Sequence, residues 1–416
     1  MYIDSITIKN VRTFSETSVE LLHPDKQYEN LGFKKPEHGN VNLLLGDNGA
    51  GKSTFLKSIA IAAMGPAQQE ANLSVEHMVR RQPNSFSPNE TTPITGEIEA
   101  TFFVHEQDSV QGSVKLVSRV NVVPLSDEVE RLSWVGIDEY LWSPGYKSQS
   151  SVFFMVAYGA TRRVESKELV DPGSRLTSSL ARAQRVRSIF EESFSLIPFS
   201  TWLPGLEISN PGRFTQVKNL INEMLAPTGY TFSGREEFGD YLYSTNGMDV
   251  PFRALSDGYR AYLGWIGDLL YHVNYTCPSG RKLIDNQGIV MVDEVDLHLH
   301  PKWQLTVLPV LSKALPKIQF IVTSHSPLVV GSLEWTNILH MTTESQNRTK
   351  AERIDFPIHG LDADQILLTD FFGLVSTRAS VKERRLKELS LKARDGDPEA
   401  AKQLLIEMSR GVEKVG

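Results

Sequence analysis

The sequence predicts an α/β fold: a mixed core sheet with flanking helices, an antiparallel β subdomain, an inserted helical lobe and C-terminal helices. Three apolar runs carry that expectation, because each ends in groups that chemistry uses. Val41-Asn42-Leu43-Leu44-Leu45 runs into the glycine-rich segment Gly46–Ser53, Gly288–Val292 ends on Asp293-Glu294, and Phe320–Thr323 ends on Ser324-His325. Short apolar runs bounded in this way read as buried strands.

Residues 2–9 alternate, with Ile6 and Ile8 on one face, and read as an opening strand. A polar loop with Pro24, Gly32, Pro36 and Gly39 precedes the strand at Val41. From Lys52, Phe55, Leu56, Ile59 and Ala63 keep helical spacing until Gly65-Pro66 stops it. Two alternating runs within 94–123 read as antiparallel strands. Residues 1–175 are therefore taken as the first half of the core, with the antiparallel strands attached. Helical spacing over 176–226, broken by Pro198, Pro204, Pro211 and Pro227, marks a helical lobe over 176–240. A second strand–helix–strand series over 241–345 completes the core, and 346–416 reads as a charged helical region suited to docking a partner or to standing in solvent.

Composition sets outer limits. With 416 residues, 40% hydrophobic and 22% charged, the chain falls among globular proteins rather than disordered or fibrous ones. No apolar run reaches the roughly 18 residues of a membrane span, and Met1-Tyr2-Ile3-Asp4 lacks the features of a secretory signal, so a cytoplasmic protein with no membrane partner is expected. Cys277 is the only cysteine, which excludes a disulfide framework or a cysteine-based zinc site. The net charge of −7 does not demand nucleic acid. A basic run from Arg162 to Arg187, interleaved with Glu165, Glu168 and Asp171, reads as a mixed solvated surface or, alternatively, as a face for nucleic acid or a partner.

Gly46-Asp47-Asn48-Gly49-Ala50-Gly51-Lys52-Ser53 matches GxxxxGK[ST] between a strand and a helix. Gly46, Asn48, Gly49 and Gly51 belong to a loop whose N–H groups curl around phosphate, with the positive helix end behind them. Lys52 is expected to reach the β- and γ-phosphates, Ser53 to coordinate Mg2+, and Thr54 to contact the α-phosphate. Asp293, at the end of a buried strand, is the second Mg2+ ligand, and Glu294 beside it is placed to deprotonate the attacking water. Leu255-Ser256-Asp257-Gly258-Tyr259-Arg260 opens a helix whose Ser256 hydroxyl and Gly258 N–H form an anion-binding end. His325 is positioned to bond the γ-phosphate and sense its loss. His298 and His300 lack an evident third ligand and read as loop-ordering residues rather than a metal site.

In this order the motifs resemble those of the ABC ATPase superfamily. Ile6–Phe14 and Asp293–Pro301 resemble its RecF, SMC-like and OLD branch more than its transporter subunits. The resemblance implies ATP and Mg2+ as ligands and a head-to-tail dimer with ATP between two copies, possible further assembly of dimers included. It assigns Ser256 and Gly258 to the partner copy's phosphate site and Asp296 to the dimer seam. It also implies a glutamine contact after the phosphate loop, for which Gln82 and Gln149 both qualify, and a phosphate contact by Arg12. The separation of Lys52 from Ser256 exceeds that of a transporter ATPase, yet no sustained heptads stand for the coiled coil of SMC-like proteins.

Phe154–Arg163 and Asp364–Leu374 are similar to segments of compact ATPases of anti-phage operons, above all the ATPase subunits of the Septu system, which work with a separately encoded HNH nuclease. That resemblance implies an ATPase whose dimer closure regulates a nuclease subunit. The alternative is a RecF-like repair ATPase that binds DNA in its closed dimer. OLD-family relatives carry a nuclease domain after the ATPase; the stretch after His325 reads as too short for one.

Overall fold

A computed structural model describes residues 1–69, 71, 73, 75–81, 94–105, 108, 115–125, 129–136, 139–142, 152–164, 181–237, 240–344, 348–374, 376, 380–394 and 396–409. The chain begins with Tyr2–Val11 (β1), Phe14–Glu20 (β2), Val41–Gly46 (β3) and the helix Lys52–Met64 (α1). Gly96–Phe103 (β4), Lys115–Pro124 (β5), Glu130–Trp134 (β6) and Met155–Tyr158 (β7) follow. Next come two-residue strands Arg163–Val164 (β8) and Ser195–Leu196 (β9), then the helices Phe199–Ser209 (α2) and Pro211–Leu225 (α3). Thr231–Glu237 (β10), Asp240–Thr245 (β11) and Met248–Pro251 (β12) lead to the helix Asp257–Thr276 (α4). Gly288–Val292 (β13), Val307–Ala314 (α5), Ile318–Thr323 (β14), Ile338–Glu344 (β15) and Arg348–Glu352 (β16) lie in the same compact unit, Met1–Gly360.

The central sheet has the order β16-β15-β3-β14-β13-β7, parallel throughout except for the edge strand β16. Every residue of β3, β13 and β14 is buried, which is why these strands read as continuous apolar runs without alternation. The second sheet, β2-β1-β4-β5-β6, is antiparallel and does alternate: Ile98, Ala100, Phe102, Val120 and Val122 turn inward to the cluster that holds Phe55, Leu56 and Ile59 of α1. α1 is thus gripped between the two sheets. Buried amides stitch the sheets together. Asn42 exchanges bonds with the backbone of Leu22 at 2.7 and 2.8 Å, and Gln319 does so with Ile3 at 2.8 Å both ways. Such groups persist in a core only when bonded.

The stretch expected to be a helical lobe is helical only in part. α2 and α3 are present, but β10 lies within 176–240 and pairs with β11, which pairs with β12. The β11–β12 turn is Asn246-Gly247, with φ of 49° and 77°, the two positive values a tight two-residue hairpin needs. Of the prolines, Pro211 opens α3, where its missing N–H costs nothing, whereas α2 continues through Pro204.

In the second unit, Leu361–Gly416, the described elements are helices. Asp362 and Gln365 form a reciprocal cap on Ala363–Leu367, and Ser380–Arg394 (α6) and Pro398–Ser409 (α7) follow. Among the described residues no helix is long and apolar enough to cross a membrane.

Candidate active site

Three adjacent parallel strands, β3, β14 and β13, end on the same edge of the central sheet, with Leu44 level with Thr323 and Val322 level with Val292. The sequence therefore delivers the phosphate loop, His325 and the Asp293-Glu294 pair side by side. This is the edge at which open α/β sheets bind ligands.

The phosphate loop leaves β3 at Gly46 and enters α1 at Lys52. Gly51 has φ of 93°, and a Cβ there would stand 2.6 Å from Thr13 Oγ1 and 2.9 Å from the Phe14 ring. Only glycine meets both demands. Thr349 braces the loop from outside: its hydroxyl donates to Ala50 O at 3.1 Å and its N–H to Thr13 O at 2.9 Å. Lys52 is buried, and its ammonium donates to Gly46 O at 2.8 Å and Asp47 O at 2.9 Å. Burial pushes its pKa down, while Asp293, Asp47 and Glu294 pull the other way. Ser53 is exposed in the first turn of α1 and Thr54 is buried, so only Ser53 presents a free-facing hydroxyl to solvent. Asn48 and Gly49 are exposed on the rim of the loop.

Asp293 is buried, and its N–H donates to Tyr158 O at 2.8 Å. The Thr323 hydroxyl donates to Asp293 Oδ1 at 2.6 Å and accepts from the Glu294 N–H at 2.7 Å. One threonine at the end of β14 thus sets both acidic residues. Glu294 has φ of 49°, a left-handed conformation that costs a residue with a Cβ about 1–2 kcal/mol. On its other side Arg162 donates to Asp293 O at 2.6 Å and Glu294 O at 2.9 Å. Burial brings the Arg162 guanidinium down to about 10, against the pull of Asp293, Asp296 and Glu294, and it stays charged at neutral pH.

The described arginines of the run from Arg162 to Arg187 turn inward or pair locally. Arg162 is spent on the acidic turn. Arg182 and Arg185 are buried, with Arg182 donating to Ala63 O at 2.7 Å, and Arg187 pairs with Glu191 at 2.8 Å. Arg175, Gln82 and Gln149 lie outside the described residues. Arg12 turns to backbone, donating to His77 O and Glu76 O at 3.1 Å each.

His325 is exposed directly after β14, while Ser324 and Ser326 on either side of it are buried. Ser326 caps the next turn and donates to Gln304 at 2.7 Å, which fixes the backbone that presents the histidine. His300 Nδ1 accepts from the Lys302 N–H at 3.3 Å, a local cap, and no group of three His, Cys, Asp or Glu suited to a metal occurs among the described residues. Asp296 is half-buried, and its Oδ1 has no hydrogen-bond partner among the described residues.

Ser256 is not bonded to this group. It precedes α4 as an exposed N-cap whose side chain makes no capping bond. Gly258 lies against the loop that follows the acidic pair: a Cβ there would sit 2.6 Å from His298 O. Tyr259 stacks edge-on to Trp303 with centroids 4.1 Å apart. Deeper in α4, buried Asp268 accepts from the Tyr158 hydroxyl at 2.8 Å and the Ile197 N–H at 2.9 Å, anchoring the helix to β7. Among the described residues no hydrogen bond or ion pair joins Ser256 or Gly258 to the phosphate loop or to Asp293 and Glu294. Sequence reasoning missed the roles of Thr323 and Arg162. The signal for the first was a β-branched hydroxyl at a strand end level with the acidic pair.

The chain is similar to several known proteins. The family model "AAA domain, putative AbiEii toxin, Type IV TA system" matches residues 114–331. The Septu protein PtuA of Bacillus mycoides (strain KBAB4) is 24% identical over 92% of this chain and 46% of its own length. The Escherichia coli protein named "Retron Ec83 probable ATPase" is 38% identical over 24% of this chain and 18% of its own. The chain thus spans less than half the length of these relatives. Among solved structures, the SMC head domain from Thermotoga maritima aligns with 86% of this chain and all of its own, at 13% identity and a TM-score of 0.45.

Proposed function

We propose, from the premise that this chain belongs to the family "AAA domain, putative AbiEii toxin, Type IV TA system", that it binds and hydrolyses ATP as a subunit of an anti-phage defence complex. In this reading closure of its dimer on ATP regulates a separate nuclease subunit. The observation that carries the nucleotide chemistry is the shared edge of β3, β14 and β13. The defence role draws support from the likeness to PtuA over 92% of the chain.

Lys52 exchanges its bonds to Gly46 O and Asp47 O for phosphate oxygens, a trade between acceptors that leaves no donor unpaired. The loop N–H groups and Thr54 hold the remaining phosphate oxygens. A buried, aligned carboxylate at Asp293 and an exposed hydroxyl at Ser53 fit Mg2+, which takes few protein ligands and completes its shell with phosphate and water. Bound there, the ion neutralises phosphate charge. Glu294 takes the proton of the attacking water, and His325 bonds the γ-phosphate.

Ser256 and Gly258 of the partner subunit supply the opposite wall. The exposed Ser256 hydroxyl makes no cap bond at its own helix start and is open to an anion held by the other copy, and the unpartnered Oδ1 of Asp296 fits a donor across the seam. The helices of the second unit are the docking surface for the nuclease.

Affinity capture of the Glu294→Gln protein from its native lysate with ATP and Mg2+, read by mass spectrometry, tests the role. A small nuclease in stoichiometric amount is expected. DNA and recombination proteins with no nuclease would instead establish a RecF-like repair ATPase.

A further inference from the structure

We infer that Arg162 is a positioning residue for hydrolysis, which holds Glu294 in its left-handed conformation so that the carboxylate meets the attacking water. The inference rests on the proposal that Glu294 is the general base. Its evidence is separate from the motifs, because Arg162 belongs to no nucleotide-binding pattern in the sequence.

Glu294 is one of seven described non-glycine residues with positive φ, and it occupies the first turn after β13. Three bonds fix its backbone. Its N–H donates to Thr323 Oγ1 at 2.7 Å, and its carbonyl accepts from Arg162 at 2.9 Å and from the Leu297 N–H at 3.1 Å. Arg162 spans the Asp293–Glu294 peptide as a fork, one nitrogen on each carbonyl, and its first nitrogen also lies 3.5 Å from Gly159 O. Gly159 itself admits no Cβ, because Ser188 O would stand 2.4 Å from one. The arginine thus ties the turn after β7 to the turn after β13, and β7 and β13 are neighbours in parallel register.

A fork on two carbonyls does what a point charge does not. It fixes the relative orientation of the two peptide planes that flank the Glu294 Cα, and through them the direction of the Glu294 side chain. The same guanidinium lies close enough to Asp293, Asp296 and Glu294 to feel all three carboxylates, so its charge also offsets their mutual repulsion. Thr323 holds the Asp293 carboxylate itself but only the backbone N–H of Glu294, so loss of Arg162 falls mainly on Glu294. A misplaced base costs turnover and leaves nucleotide binding alone.

The test compares wild type, Arg162→Ala, Arg162→Lys, Glu294→Gln and the Arg162→Ala/Glu294→Gln double variant, each measured for kcat, KM and affinity for a non-hydrolysable ATP analogue. Arg162→Ala is expected to lose roughly 10²-fold in kcat, with KM and analogue affinity changed by less than about 3-fold. Arg162→Lys, which keeps the charge without the fork, should recover part of that loss. In the Glu294→Gln background Arg162→Ala should cost less than about 3-fold, because there is no base left to position. Equal losses in both backgrounds, wild-type kcat in Arg162→Ala, or a loss carried by affinity would overturn the inference. If Arg162→Ala fails to fold, Arg162→Lys in both backgrounds decides by the same criterion. A Glu294→Gln protein as active as wild type, or a wild type without turnover, would instead remove the general base and this inference with it.

Discussion

At the carboxyl edge of the central sheet, Lys52, Asp293 and Glu294 are each held by neighbours of their own chain. At the start of α4, Ser256 is exposed and makes no side-chain cap. Both regions are polar, and both follow from strongly patterned sequence. The difference lies in satisfaction: the first spends its hydrogen bonds on its own chain, while the second leaves the Ser256 hydroxyl without a cap bond. Preformed groups suit a reaction centre, where reorganisation during the reaction is costly. Unspent donors suit a surface completed by another molecule.

That contrast is sharpened most by removing the centre of the first region. Lys52→Ala deletes the one buried cation of the loop, and ATP affinity should fall by roughly 10²-fold or more in equilibrium binding, as for a lost charge-assisted contact. Retained tight binding would mean that the loop is not the nucleotide site. Glu294→Gln should spare that binding and lower hydrolysis by roughly 10²–10⁴-fold, the range for a lost general base. Turnover at the wild-type rate would take Glu294 out of the chemistry and leave the strand edge a binding site only.

Much of the fold was legible because its central strands carry no alternation to misread. β3, β13 and β14 are buried on both faces, so their apolar runs stand out, and the residues after each run announce what the strand delivers. The stretch between α3 and α4 was less legible. The helical spacing and prolines of 176–226 set the expected lobe to run on to 240, while Asn246-Gly247, which marks the β11–β12 hairpin, falls just past that end. Spacing alone does not say that β10 pairs forward across 238–239 rather than continuing the helices.

The braces of the acidic turn were hidden for a different reason. Thr323 and Arg162 bond residues far away in sequence, with Arg162 reaching the Glu294 carbonyl across 132 positions. Pattern along the chain carries no record of such pairs, and the arginine-rich run suggested an exposed surface where three of its members are buried or tied to backbone. The strand partners, β7 beside β13, explain the contact once the sheet order is known.

The most direct test of a site shared between two copies is complementation. Lys52→Ala and Ser256→Arg subunits, each inactive alone, are mixed in equal amounts and assayed for ATP hydrolysis. In a mixed dimer one composite site pairs an intact phosphate loop with an intact Ser256. Turnover should return to roughly a quarter of wild type, since half the dimers are mixed and each holds one intact site of two. If no ratio of the two variants restores hydrolysis, the site is not shared between copies.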